Sequence, residues 1–235
     1  LRIASQLQKS MAEMRRKDYK AFITSDDARR RRNEVSVSIR KNKREEGLQK
    51  RRTVSDIQKE ADFMIKISRK DISALKKGIL SNDPTLKVKS MQGIRKILSV
   101  NADPPVRTIL NADMLPAIVS ALSKEDLTDL QFEAAWALTN IASTIHTREV
   151  IKHNAIPSLT RLLFHSRHDL REQCAWCLGN VAGDCVELRD MVLADKDALS
   201  GLLLNINQPE TTSLLHNCVW ALSNFCRGKP QPALE

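Results

Sequence analysis

From residue 71 onward, apolar side chains recur every three or four positions, the period of a helix with one buried face. Asp83-Pro84 predicts an N-cap followed by proline at the first helical position. Leu86, Met91, Ile94, Ile97 and Leu98 supply the apolar stripe behind it, and Asp103-Pro-Pro105 ends that unit. Asn111-Ala-Asp-Met-Leu-Pro116 then leads into a helix ending near Leu122, a loop, and a longer helix carrying Trp136. His153-Asn-Ala-Ile-Pro157 leads in the same way through residues 159–164 to a helix carrying Trp176. In the last unit Ala198-Leu199 opens the corresponding helix, and Gln208-Pro-Glu210 starts the helix carrying Trp220.

Each unit therefore reads as a short helix, a second helix and a longer third one. Pro116 and Pro157 are 41 residues apart, and the three tryptophans are separated by 40 and 44. A three-helix period of roughly 40–47 residues predicts an all-α fold, a right-handed armadillo-type solenoid. The repeats fall at about 71–112, 113–154, 155–196 and 197–230, the last incomplete.

The three tryptophans are each followed four residues later by asparagine: Trp136 and Asn140, Trp176 and Asn180, Trp220 and Asn224. Around the middle copy, Gln173, Trp176, Asn180 and Asp184 share one helical stripe. Third helices of such a stack lie side by side, about 8–10 Å apart. An extended peptide rises about 3.3 Å per residue, so each repeat matches roughly three peptide residues. An amide donates and accepts, which suits a peptide backbone, and an indole face stacks on Lys or Arg stems. Asp184 would single out one lysine ammonium through a charge-assisted bond. Together they predict a receptor for an extended basic peptide.

Charge divides the chain. Residues 1–70 hold 21 Lys/Arg against 10 Asp/Glu, and residues 71–235 hold 17 against 18. The net charge of +10 therefore describes a basic arm on a nearly neutral body. The arm spans 1–52, with 15 basic side chains between 15 and 52 and few large apolar ones. It reads as largely disordered alone and helical on contact with a partner, and 53–70 as a linker or weak helix. The five cysteines sit at 174, 177, 185, 218 and 226, four of them on tryptophan helices, an arrangement of buried reduced thiols. Cys174-x-x-Cys177 lacks a second ligand pair for zinc. With no phosphate loop and no nucleophile motif, the chain reads as a non-enzyme without cofactor or metal. No apolar run is long enough to span a membrane.

Residues 131–143, Gln-Phe-Glu-Ala-Ala-Trp-Ala-Leu-Thr-Asn-Ile-Ala-Ser, resemble the second armadillo repeat of importin-α (karyopherin-α), the nuclear import adaptor. Residues 176–184 resemble its third repeat and 220–230 its fourth. Independently, Arg29-Arg30-Arg31-Arg32, Arg40-Lys41, Lys43-Arg44 and Lys50-Arg51-Arg52 resemble its importin-β-binding arm. The resemblance implies that Trp136, Asn140, Trp176, Asn180, Trp220 and Asn224 form the major site for nuclear localisation signals. Asp184 would take the critical lysine, with Gln173, Gly183, Ser143 and Thr147 as neighbouring contacts. The partners implied are cargo proteins and importin-β, in a protein shuttling between cytoplasm and nucleus. Lys50, Arg51 and Arg52 would occupy the groove in cis as an autoinhibitor until importin-β withdraws the arm.

Two departures bear on this. Ala142-Ser143-Thr144 lacks the family's usual glycine after serine, and the loop is shorter. The chain also stops after four repeats where the family continues, which reads as a fragment or truncated form. Without the resemblance, two alternatives stand: another armadillo scaffold, or a nucleic-acid-binding protein using the arm.

Overall fold

The computed structural model describes residues 69–99 and 104–232, with Glu34, Val37 and Ser38 upstream. The chain divides into two units, Leu1–Ile39 and Arg40–Glu235. In the first, the three described residues have helical backbone. The basic clusters between Arg29 and Arg52, and the linker up to residue 68, lie outside the described residues.

Among the described residues every regular element is helical, as the 3.6-residue pattern predicts. An opening pair, α1 (Arg69–Leu80) and α2 (Pro84–Leu98), is followed by three triplets. The first is α3 (Val106–Asn111), α4 (Leu115–Ala121) and α5 (Thr128–Ala142). The second is α6 (Thr147–Lys152), α7 (Ile156–Arg161, continued by the 3-10 turn Leu162–Phe164) and α8 (His168–Ala182). The third is α9 (Val186–Leu193), α10 (Lys196–Asn207) and α11 (Thr212–Phe225). Counting from the proline-led helix starts a repeat one short helix later than these triplets do.

Local chemistry explains most boundaries. The Asp83 carboxylate accepts from the Thr85 amide at 2.8 Å, with Pro84 beside it in the first turn of α2. Asp113 and Asn154, at φ 50° and 57°, make the left-handed turns into α4 and α7. Asp and Asn tolerate that conformation better than other side chains, and each precedes its proline by three residues. Two starts differ from expectation. Helix α11 begins at Thr212 rather than at Gln208-Pro-Glu210, because the Thr211 hydroxyl caps the Leu214 amide at 3.1 Å. Helix α10 begins at Lys196, before Ala198, because Asp195 caps the Asp197 amide at 3.0 Å. Leu86, read as a core position, is exposed, whereas Met91, Ile94, Ile97 and Leu98 are buried.

The long helices α2, α5, α8 and α11 pack successively against one another, and the shorter helices pack behind them. The core is one continuous cluster running from Ile72 to Phe225. Ion pairs also step from repeat to repeat: Arg161 to Glu125 at 2.6 Å, Arg148 to Glu187 at 2.5 Å, and Arg171 to Glu210. The first two are well exposed and contribute little compared with the shared core. Leu203, Leu204 and Val219 remain exposed on α10 and α11.

Candidate peptide-binding site

The successive packing of α5, α8 and α11 places the three Trp–Asn pairs in register, one pair per repeat. The amides are almost wholly enclosed, with Asn140 and Asn180 at 0% and Asn224 at 3% exposure. Each uses Nδ2 to hold the preceding repeat. Asn140 donates to Ser99 Oγ at 3.1 Å, Asn180 to the Thr139 carbonyl at 3.2 Å, and Asn224 to the Gly179 carbonyl at 2.9 Å. One N–H of each amide is therefore spent on the fold, so less of the carboxamide is left for a ligand than the sequence suggests. Asn140 Oδ1 has no hydrogen-bond partner among the described residues, and Asn224 Oδ1 accepts from Arg227 Nη1 at 3.2 Å.

The indoles are more enclosed than an exposed working surface would require. Trp136 belongs to the core cluster, Trp176 is buried outside it, and Trp220 is half-buried against it. Trp136 meets Phe132 edge-on at 5.7 Å between ring centres and carries the Arg95 guanidinium at 4.3 Å from its ring centre. Arg167 lies 4.8 Å from the Phe132 ring, extending the alternation of cations and rings. The apolar character of indole explains the burial: the ring contributes most when its edge is packed and one face is reserved for a cation. Trp176 Nε1 and Gln173 Oε1 are buried without hydrogen-bond partners among the described residues. An unmade bond at such a buried donor or acceptor costs about 1–3 kcal/mol.

Glycine sets the spacing of the third rung. A Cβ on Gly179 would stand 2.5 Å from Trp220 Cζ3, and one on Gly183 would stand 2.8 Å from Asn224 Nδ2. Gly183 is therefore a spacer for the asparagine as well as the residue preceding Asp184.

Asp184 follows the C-cap of α8, where the helix dipole disfavours a carboxylate. It is half-buried, and the Thr147 hydroxyl approaches its Oδ1 at 3.4 Å. That same hydroxyl lies 2.8 Å from the Thr144 carbonyl and 3.0 Å from the Ala142 carbonyl, so the loop after α5 is pinned beside Asp184. Ser143 Oγ donates to the Asn140 carbonyl at 2.8 Å. The structure thus brings Thr147 and Asp184 together, while the Ser143 hydroxyl is turned onto the end of its own helix. At the position of Asp184 in the other repeats stand Thr144, half-buried, and Gly228, at φ 97°.

On the buried side, Cys174, Cys177 and Cys218 are free thiols. Burial pushes Cys174 well up, with a smaller contribution from Cys177. Burial likewise pushes Cys177 and Cys218 up to about 12, with Thr139 hydrogen bonding opposing it at Cys177. They are inert packing groups. Among the described residues no cluster of His, Cys, Asp and Glu could hold a metal ion.

Sequence reasoning missed Arg95 and Ser99. They stand 41 residues before Trp136 and Asn140, so the repeat interval extended one unit back would have found them. It also missed Glu133, whose Oε2 lies 2.8 Å from Arg95 Nε, and Arg227 beside Asn224.

The importin beta binding domain profile matches residues 15–92, and the armadillo/beta-catenin-like repeat profile matches 102–143 and 145–183. Importin subunit alpha-6 of Arabidopsis thaliana is 42% identical over 234 residues, covering 95% of this chain and 43% of the relative. Importin subunit alpha-B of Dictyostelium discoideum is 44% identical over 235 residues, covering 97% and 46%. This chain therefore spans less than half the length of those relatives. Among solved structures, a designed armadillo repeat protein in complex with the peptide (KR)4 superposes with a TM-score of 0.60 at 23% identity, covering 66% of this chain and 64% of that one. An engineered protein does so at 0.61 and 27%, covering 67% and 64%. With a binding-arm match, two repeat matches and this identity along nearly the whole chain, the protein belongs to the importin-α family.

Proposed function

We propose that this chain is a nuclear import adaptor: it binds basic nuclear localisation signals of cargo along the Trp–Asn ladder and joins them to importin-β through its basic arm. One observation carries the reading. Each ladder amide is anchored through its Nδ2 to the preceding repeat, which sets one Trp–Asn pair per repeat along the packed long helices. An extended peptide would meet these groups in a desolvated setting, where a hydrogen bond strengthens and an unpaired group costs more. The carboxylate of Asp184, present at one loop of the three, supplies the register by taking one lysine. Thr147 reaches that loop, Ser143 closes the end of the preceding long helix, and Gln173 and Gly183 complete the stripe on α8. The arm acts in cis as competitor, its Lys50-Arg51-Arg52 run matching the chemistry of cargo. The protein would shuttle between cytoplasm and nucleus, with no catalytic role.

Titrating a fluorescent lysine-rich signal peptide against the 235-residue chain and its Asp184→Lys variant tests this. Loss of a charge-assisted bond weakens binding by about tenfold or more. Equal affinity for both proteins would sink the proposal.

A further inference from the structure

The ladder has a fourth register position, and it holds an arginine. One repeat interval before Trp136 and Asn140 stand Arg95 and Ser99, both on or just after α2. Ser99 keeps the amide's inter-repeat bond, since Asn140 Nδ2 donates to its Oγ at 3.1 Å. Arg95 does something else. Its guanidinium lies 4.3 Å from the Trp136 ring centre, while its Nε donates to Glu133 Oε2 at 2.8 Å. Both side chains of that pair are about nine-tenths buried. Glu133 sits one turn before Trp136 on α5, so one helix presents the ring together with the carboxylate that fixes the cation over it.

Resting on the peptide-groove reading above, we propose that Arg95 is a specificity-determining residue: it ends the lysine-reading ladder by occupying the face of Trp136 that a further peptide cation would stack on. A face that already carries a guanidinium offers no second cation–π contact. Glu133 neutralises the pair, so the discrimination comes from the lost stacking position rather than from long-range repulsion. Beyond the Trp136 rung, lysine then has no advantage over an uncharged side chain of similar length. Removing the cation, with Glu133 also made neutral, reopens the face and lengthens the reading frame by one repeat. At about 8–10 Å per repeat and 3.3 Å per residue, that is roughly three peptide positions.

The test is a competition assay on the 235-residue chain. Each peptide contains a lysine run and one reporter residue, lysine or norleucine, moved stepwise outward from both ends of the run. In wild type the preference for lysine should stop at a defined position at one end. In Arg95→Ala/Glu133→Gln it should extend about three positions further, with lysine favoured by about three- to tenfold there. Arg95→Trp/Glu133→Gln, which puts the ladder's own residue at this register, should show the same extension. A new preference cannot arise from partial unfolding, and ratios within one protein are insensitive to its active fraction. The proposal is overturned if wild type favours lysine without limit at both ends, or if a variant that binds the parent peptide gains no new position. Failure of wild type to bind any lysine-run peptide would instead remove the groove reading on which it rests.

Discussion

Trp220 lies across Gly179 so closely that a Cβ there would meet its ring at 2.5 Å from Cζ3 and 2.9 Å from Cε3. The two residues belong to α8 and α11, and the absent side chain lets the Trp220 ring close against the backbone of α8. Gly179→Ala therefore opposes two effects. Alanine favours the helix by up to about 1 kcal/mol, but overpacking against a rigid ring costs about 1–3 kcal/mol. The ring cannot yield as a flexible chain would, so net destabilisation of about 1–2 kcal/mol is expected by urea unfolding. Peptide affinity should fall with it, because Trp220 shifts.

The Arg95–Glu133 pair makes a separate stability prediction. Arg95→Ala leaves the Glu133 carboxylate enclosed without its partner, which costs about 3–5 kcal/mol. Adding Glu133→Gln removes that stranded charge and should recover a large part of the loss. A double-mutant cycle measured by chemical unfolding reports the coupling; additive effects would show that the pair is not a unit.

Autoinhibition by the arm is tested by replacing Lys50, Arg51 and Arg52 together with alanine. Cargo-peptide affinity of the whole chain should rise several-fold, because a tethered competitor acts at a high effective concentration. Unchanged affinity would reject competition by this cluster.

Buried thiols give an alkaline signature. Burial raises Cys177 and Cys218 from about 9 to about 12 in the folded state. A group whose folded value lies above its unfolded value contributes stability that is complete below about pH 9. Above that the unfolded chain loses the proton first, and stability falls until the folded value near 12 is passed. The slope reaches at most about 1.4 kcal/mol per pH unit for each such thiol. Cys177→Ala should flatten the unfolding free energy between pH 9 and 11 relative to wild type. Cys226, which is exposed, should react with a maleimide under native conditions well before Cys174 and Cys177.

The first and third rungs also differ in kind. Arg95 covers the ring at the first, and Arg227 holds the Asn224 amide oxygen at the third. Asn224→Ala should therefore cost less peptide affinity than Asn140→Ala, whose oxygen has no partner among the described residues. Parallel titrations of the two variants check the order.

The sequence by itself determined the helical period, the three-helix repeat and the placement of the Trp–Asn pairs. These are local properties: periodicity, proline and left-handed Asp113 and Asn154 turns act over a few residues, and they leave marks at fixed spacing. The caps were partly legible. Asp83 is legible from Pro84 beside it, whereas Thr211 and Asp195 are overshadowed by the stronger local signals of Pro209 and the Ala198-Leu199 pair.

Only the tertiary structure decided that each asparagine spends an N–H on the preceding repeat, since the answer depends on a carbonyl or hydroxyl roughly forty residues away. The same holds for the burial of Trp136 and for the Arg95 guanidinium on its face. Arginine is a mostly exposed residue in any sequence reading. It becomes a buried ring partner here because packing α2 against α5 brings the Glu133 carboxylate to its Nε, and that compensation is invisible until the helices are side by side.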